Sequence, residues 1–331
     1  MLHAWPAGKR IKPFRSGQAS NWVKGGKMKY AKVILSLIIV AIFAISCAKK
    51  DDETEIQSLL ESSWYVGDGA VQTQDDSTNT PKGIGGMQIL TDTIGYVRWV
   101  RWIQRPVTRE FDIVINGDSA FVTITAYFQG DPPGYGLFVN NDPSGAVYQR
   151  SIADSVIRRV KLYRDENGKW RIASLTVADI YTVGTDHPVT ITEIRAKVAS
   201  RNYEWVVNSP DTYFEKDQLP IFYPSDTVEV TVTCSCQADS TWAFLHHGHG
   251  HRPGVGHPHR DPFYRENTTT FTRTWVIADD SVITTPAVRH SATDVLGWQT
   301  LWGDSTATYY SRAWCIPYIV KTPQEEIPSD E

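Results

Sequence analysis

Cysteine is scarce in this chain: four in 331 residues, at Cys47, Cys234, Cys236 and Cys315. No two of them form a CxxC pair, which excludes the paired-cysteine zinc and redox motifs. No apolar run reaches the roughly 20 residues that a transmembrane helix needs. The longest extends only from Val33 to Ser46. Catalytic signatures are missing as well. There is no GxSxG elbow, no HExxH, no phosphate-binding Walker loop and no dinucleotide fingerprint. Helical periodicity is rare, while valine, threonine, tyrosine and tryptophan are abundant, so β structure should dominate.

What is present begins at the short apolar run. Lys29 and Lys32 supply a positive segment before it. Too short to span a bilayer, it has the length of a signal-peptide core. Ala44-Ile45-Ser46-Cys47 then resembles the lipobox of bacterial lipoproteins. The resemblance implies a signal peptide over 28–46, cleaved before Cys47, with a diacylglyceryl group on its sulfur and a fatty acid such as palmitate on the new amine. One acyl chain binds a membrane with a constant of only about 10⁴ M⁻¹, so stable anchoring takes more than one. The expected address is the bacterial cell envelope, anchored in the outer membrane on its periplasmic or surface face. Met28 is the better start for such a signal, and residues 1–27 read as a mis-assigned leader.

Positions 1–46 hold eight of the 33 basic side chains and none of the 37 acidic ones. From Cys47 onward, 25 basic side chains therefore face 37 acidic ones, a net charge of −12. That argues against nucleic acid or an anionic bilayer surface as a partner, since both need a basic face. Residues 47–53 form a charged tether. A lysine followed by acidic residues behind the lipid cysteine resembles the surface-export signal of Bacteroidetes-type lipoproteins; a solvated spacer reads equally well.

Thr54 to Ser62 has one apolar face, Ile56, Leu59 and Leu60, and a Thr54/Gln57 capping box, which predicts a short helix. Phe111–Ile115 and Ser119–Phe128 flank Asn116-Gly117-Asp118, a tight hairpin signal. Val160–Arg164 and Lys169–Val177 flank a second turn. A short helix, long strands and the closing hairpin VKLYRDENGKWRIASLTV resemble the nuclear-transport-factor-2-like superfamily. That implies an α+β cone over 54–184, in a superfamily that ranges from isomerases and cyclases to binding modules. Residues 185–188 read as a linker. From there short strands recur, at Val189–Val198, Tyr203–Val207, Thr227–Cys236, Trp242–His246, Thr269–Ile277 and Thr306–Tyr310, with a last strand near Tyr310–Val320. They predict an immunoglobulin-like β-sandwich over 189–322, followed by an acidic tail, 323–331. The pairing of the two domains resembles bacterial lipoproteins, which adds an architecture and no activity.

Six of the nine histidines cluster between positions 246 and 259: His246, His247, His249, His251, His257 and His259. Imidazoles on a glycine-rich loop, 246–259, can converge on Zn, Ni or Cu, weakly and exchangeably. Arg98-Trp99-Val100-Arg101-Trp102 is the second cluster. On a strand, Arg98 and Trp102 share one face while Trp99 and Arg101 share the other. Cation–π pairing or a pocket for an anion are both open. With Cys47 lipidated, three thiols remain. Val228, Val230, Val232, Cys234 and Cys236 alternate on one face, so a bridge from Cys234 or Cys236 to Cys315 and buried thiols are both open. Asp112, Asp118, Asp179 and Tyr96 are the acids and phenol that an isomerase-like cone would use. The expected function is a non-enzymatic, lipid-anchored module that binds a protein or small ligand. The alternatives are an enzyme in the cone and metal capture by the histidine loop.

Overall fold

The computed structural model describes residues 51–67, 90–92, 95–104, 106–131, 134–141, 145–184, 188–237, 240–249, 256–279 and 281–329, with the backbone alone for 90–92, 95–96, 248–249 and 256–259. β structure dominates, in three largely antiparallel sheets. The smallest has the order β1 (Leu90–Asp92), β2 (Gly95–Trp102), β5 (Gly136–Asn140), β6 (Tyr148–Arg150). A five-stranded sheet runs β11 (Tyr203–Val207), β10 (Val189–Val198), β13 (Thr227–Cys236), β17 (Thr270–Val276), β16 (Tyr264–Arg265). The largest path is β15 (Gly256–Pro262), β14 (Thr241–His249), β18 (Ala287–Gly297), β19 (Ser311–Val320), β9 (Ala178–Thr182), β7 (Ile152–Arg164), β4 (Ser119–Gly130), β3 (Arg109–Asn116). To it are added β8 (Trp170–Leu175) beside β7 and the parallel β12 (Ile221–Phe222) beside β19.

Two apolar clusters follow from strand alternation. In β19, Trp314, Ile316 and Tyr318 face the five-stranded sheet, while Ala313 and Cys315 face the small one. β14 divides the same way: Ala243 and Leu245 enter the first cluster, Trp242 and Phe244 the second. These strands are therefore buried on both faces. β4 differs, because one inward face serves both clusters in turn: Ala120, Val122 and Ile124, then Ala126 and Phe128. Burying one such side chain fully is worth about 1.5–3 kcal/mol.

Both sequence-derived hairpins form. β3 pairs with β4 across Gly117, whose φ of 61° supplies the left-handed turn residue. β10, β11 and β13 have the expected limits. The alternation of Val228, Val230, Val232 and Cys234 also holds, since all four are buried.

Several expectations need correction. The helix, α1, spans 51–62, so Thr54 lies inside it and is no N-cap. The acids of the tether, Asp51 to Glu53, form its first turn, where negative charge favours the helix dipole. Asp52 also accepts from Arg164 Nη2 and from Trp170 Nε1, tying α1 to the β7–β8 hairpin.

The run 169–177 is not one strand. It breaks at Thr176, whose hydroxyl accepts from the Arg159 amide, and the chain continues as β9. β9 pairs with β7 on one side and with β19 on the other, so strands from before and after 185–188 share a sheet. The first apolar cluster likewise draws on α1, β4, β10, β13 and β19 together. Residues 52–331 are one compact unit, without a domain boundary at 185–188; residues 185–187 themselves lie outside the described residues. The tail is docked as far as Pro328: Tyr65 Oη donates to the Pro328 carbonyl at 2.6 Å, and Ile327 packs on the core.

Candidate functional site

The histidine run is not a loop at its start. His246 and His247 belong to β14, which returns as β15 in a hairpin. Successive strand residues face opposite ways, so the two are separated. His246 is 2% exposed and lies 3.2 Å from Asp294. His247 Nε2 lies 2.9 Å from Asp261 Oδ2, with its ring over Trp275 at 4.9 Å. The side chains of His249, His251, His257 and His259 lie outside the described residues. Among the described residues no three metal-ligating side chains converge. Cys47 also lies outside the described residues. Among these residues no helix is long and apolar enough to cross a membrane.

Cys234, Cys236 and Cys315 carry no disulfide. Cys236 pairs with Val189 in one sheet, and Cys315 with Ala178 and Ala292 in another, which separates the expected partners. Burial pushes the Cys234 thiol up to about 11, so it stays protonated.

β2 divides the arginine–tryptophan run as the alternation predicts. Arg98 and Trp102 are half-buried on one face; Trp99 and Arg101 are fully buried on the other. The guanidinium groups of Arg101 and Arg260 lie over the Trp99 ring at 5.6 and 3.7 Å. Arg101 does hold an anion, but an internal one. Its Nη1 donates to Asp294 Oδ2 at 2.8 Å, and its Nη2 to Ser311 Oγ at 3.2 Å. Ser311 Oγ donates in turn to Asp294 Oδ1 at 3.0 Å.

Beside this pair sits a second carboxylate, Asp154. It accepts from Tyr309 Oη at 2.7 Å and from Thr182 Oγ1 at 3.1 Å. Burial pushes Asp154 up to about 6, against the opposing pull of Arg101 and the two hydrogen bonds. Burial also works against the charge of Asp294, but Arg101 and His246 outweigh it and hold this carboxyl well below the usual range. The Tyr309 phenol is raised by burial and stays a neutral donor.

A raised carboxyl beside a phenol is a pair that proton-transfer chemistry can use. Here the cluster is sealed. Arg101, Asp154, Thr182, His246, Asp294, Tyr309 and Ser311 are each at most 7% exposed. In the closed protein it pins β2 across β18 and β19. The acids singled out from sequence lie elsewhere: Asp112 and Asp118 are exposed, and Asp179 pairs with Arg312 at 2.7 Å. The Tyr96 side chain lies outside the described residues. Asp154 had a legible signal, since Ile152, Asp154, Val156, Arg158 and Val160 alternate onto one buried face.

One feature that reaches solvent is the turn between β18 and β19. Trp298–Trp302 forms a one-turn helix, α2. Below it lies Arg150, the last residue of β6, 4% exposed. Guanidinium has five N–H donors in a fixed plane. Arg150 Nε donates to the Thr300 carbonyl at 2.9 Å, and Nη1 to those of Asp304 and Ala307 at 2.7 and 3.1 Å. Nη2 donates to Gly303 at 2.9 Å and Gln299 at 3.5 Å. Asn141 Nδ2 adds bonds to the Leu301 and Gly303 carbonyls at 2.9 and 3.0 Å. The carbonyls that a helix end leaves open are thus satisfied by side chains from the small sheet and the residue that follows its third strand.

On this base Trp298 and Trp302, one turn apart, stack at 3.8 Å and 8°. Trp242 packs against both, at 6.2 and 5.6 Å, and Arg265 lies over Trp242 and Trp298. The stacked pair remains half-exposed. Beside α2 is an open groove of about 320 Å³ lined by Gln299, Asp304, Thr306, Thr308 and Tyr310, among others. The Thr306 hydroxyl and amide hold the Asp304 carboxyl below its usual range and fix the turn. Sequence reading placed a strand over Thr306–Tyr310, and the structure has this turn there instead. The available signals were the Trp-x-x-x-Trp spacing and the Asp304-Ser305-Thr306 turn. Compared with known proteins, the chain matches no protein-family model and no curated sequence.

Proposed function

We propose that this protein is a non-enzymatic binding module of the bacterial cell envelope, lipid-anchored at Cys47, with the β18–β19 turn as its binding surface. The observation that carries the reading is Arg150. A buried arginine directs all its donors at the carbonyls of one surface turn that displays two half-exposed tryptophans. Fixing a surface in advance lowers the entropy cost of binding. The sealing of Asp154, Tyr309 and His246 favours binding over the isomerase-like alternative. The nuclear-transport-factor-2-like reading of 54–184 draws support from α1 packed on antiparallel hairpins, and the sandwich reading of 189–322 from two sheets sharing one apolar cluster, but the larger of these sheets continues into β9, β7, β4 and β3, so both would be parts of one compact unit. Only residues 48–50 separate Cys47 from α1, so a lipidated protein would hold its folded body close to the membrane.

A thermal-shift panel tests the binding surface. Neutral sugars, amino acids, short peptides and inorganic phosphate are each added to wild type and to Trp302→Ala. One class should raise the wild-type melting temperature and leave the variant unmoved. A shift of equal size in both would place the site elsewhere. The anchor is tested by detergent-phase partitioning of the expressed protein. Cys47→Ser should move it to the aqueous phase, and an unchanged distribution would refute lipidation.

Metal capture is the second reading. The backbone register sets His247 opposite His259 and His249 opposite His290, which concentrates histidine on β14, β15 and β18. Calorimetric titration with Zn²⁺ and Ni²⁺ should show binding that His257→Ala/His259→Ala weakens; heats identical in the variant would dismiss it.

A further inference from the structure

We infer that β3 is an edge at which two copies of this chain associate, its backbone pairing antiparallel with β3 of the second copy about a two-fold axis. The inference is separate from the β18–β19 turn and starts from how the sheets end. Among the described residues, six strands close the three sheet paths. β1, β6, β11 and β16 have only two to five residues each. β15 carries Pro258 and Pro262, and proline cannot donate to a further strand. β3 differs: it has eight residues, no proline and no shift of register against β4. A long, regular edge is a template for another strand.

The backbone shows which groups face outward. On the β7 side of β4, the Asp118 carbonyl accepts from the Arg164 amide at 2.9 Å; away from β7, the Gln129 carbonyl accepts from the Gln104 amide at 2.8 Å. In an antiparallel ladder alternate residues turn both backbone groups to the same neighbour. Odd-numbered residues of β4 therefore bond β3, where their register partners are Glu110, Asp112, Val114 and Asn116. Phe111, Ile113 and Ile115 are left to turn N–H and C=O to the outer edge. Their side chains pack on the first apolar cluster yet stay half-buried, so the rim of that cluster is open where the next strand would lie.

Three arguments select a second copy as the occupant. Of the sheet-ending strands, β3 is matched in length and regularity only by another β3. Pairing it with a different edge would leave one edge of each kind open and grow a fibre, whereas pairing with itself closes. One register also suits the side chains. Ile113 lies opposite Ile113 of the second copy, and Phe111 opposite its Ile115, so the outward backbone groups meet in about six hydrogen bonds. On the other face Asp112 lies opposite Val114, and Glu110 opposite Asn116, so no like charges stand directly across. A shift of two residues one way sets Asp112 against Asp112; the other way sets Phe111 against Gly117 of the turn. In the chosen register the exposed Val114 side chains become diagonal neighbours, as do the Asp112 carboxylates, at roughly 7–8 Å.

The test uses the unlipidated chain from position 47 onward, with Cys47→Ser. Sedimentation velocity from about 1 to 300 µM covers the range in which small interfaces associate. A monomer–dimer equilibrium is expected. Ile113→Pro removes an outward donor and should weaken it at least tenfold. Asp112→Asn removes the diagonal repulsion and should tighten it at least threefold. Hydrogen exchange keeps the test open where Ile113→Pro fails to fold. The Phe111, Ile113 and Ile115 amides of wild type should slow as concentration rises, while those of Asp112 and Val114, bonded to β4, should not change. A monomer at every concentration would overturn the inference, and so would a dimer that Ile113→Pro leaves intact or Asp112→Asn weakens. Exchange at Phe111, Ile113 and Ile115 that is already slow in the dilute monomer would assign the edge to another segment of the same chain, which overturns it equally.

Discussion

Asp154 and Asp294 share one buried cluster yet shift in opposite directions, because only Asp294 has the direct bond to Arg101. An unfolded aspartate ionises at about 3.9. Asp154 keeps its proton to about 6 in the folded protein, so between these values the native state binds a proton that the unfolded chain has lost. Stability should therefore fall as pH rises through that window, by up to about 3 kcal/mol. Asp294 acts the other way: its contribution is present above about pH 4 and is lost as pH falls below it. Asp154→Asn cannot titrate, and urea midpoints between about pH 4 and 6.5 should lose the decline attributable to this residue. The same slope in the variant would contradict the assignment. Arg101→Met leaves Asp294 buried without its cation, and should cost about 3–5 kcal/mol in urea unfolding. Arg101→Met/Asp294→Leu should recover part of that loss, and a double variant as unstable as the sum would argue against a coupled pair.

Elements that alternate cleanly are legible in the sequence. β3, β4, β10, β11 and β13 follow from period-two burial and from turn residues, which are local properties. The elements that escape it are those decided at a distance. β9 takes its place from β19, and the turn over 303–310 takes its shape from Arg150, far earlier in the chain. The same holds for the candidate site. The tryptophans are visible as residues, but nothing local says that an arginine lies beneath their carbonyls. Arg101 is visible too, while its partner Asp294 is not, since the pair joins strands far apart in sequence. One glycine marks how tightly the base of the turn is built. Gly136 has φ 115°, and a Cβ there would collide with the Arg150 carbonyl. Gly136→Ala should destabilise by at least about 2 kcal/mol, read from denaturant midpoints, because strain and collision both oppose it. A cost under about 0.5 kcal/mol would show that β5 and β6 can yield.

At the scale of the whole molecule, the first apolar cluster needs residues from both sides of 185–188. A chain ending at residue 184 would expose β9 along the edge that β19 covers, and should show no cooperative unfolding; a sharp transition in that fragment would contradict a single folding unit. The same continuity lets the small sheet, through Arg150, fix a turn between strands of the large one. That link is the centre of the account, and hydrogen exchange reads it directly. The Gly303 and Ala307 amides donate within the turn, to Gln299 at 2.9 Å and to Asp304 at 3.2 Å. In ligand-free wild type both should exchange at least about a hundredfold more slowly than in unstructured peptide, equivalent to about 2.7 kcal/mol of opening. Arg150→Lys, with a single ammonium for five carbonyls, should return them toward the peptide rate. Peptide-like exchange in wild type, or protection unchanged in the variant, would contradict a turn pre-organised by Arg150.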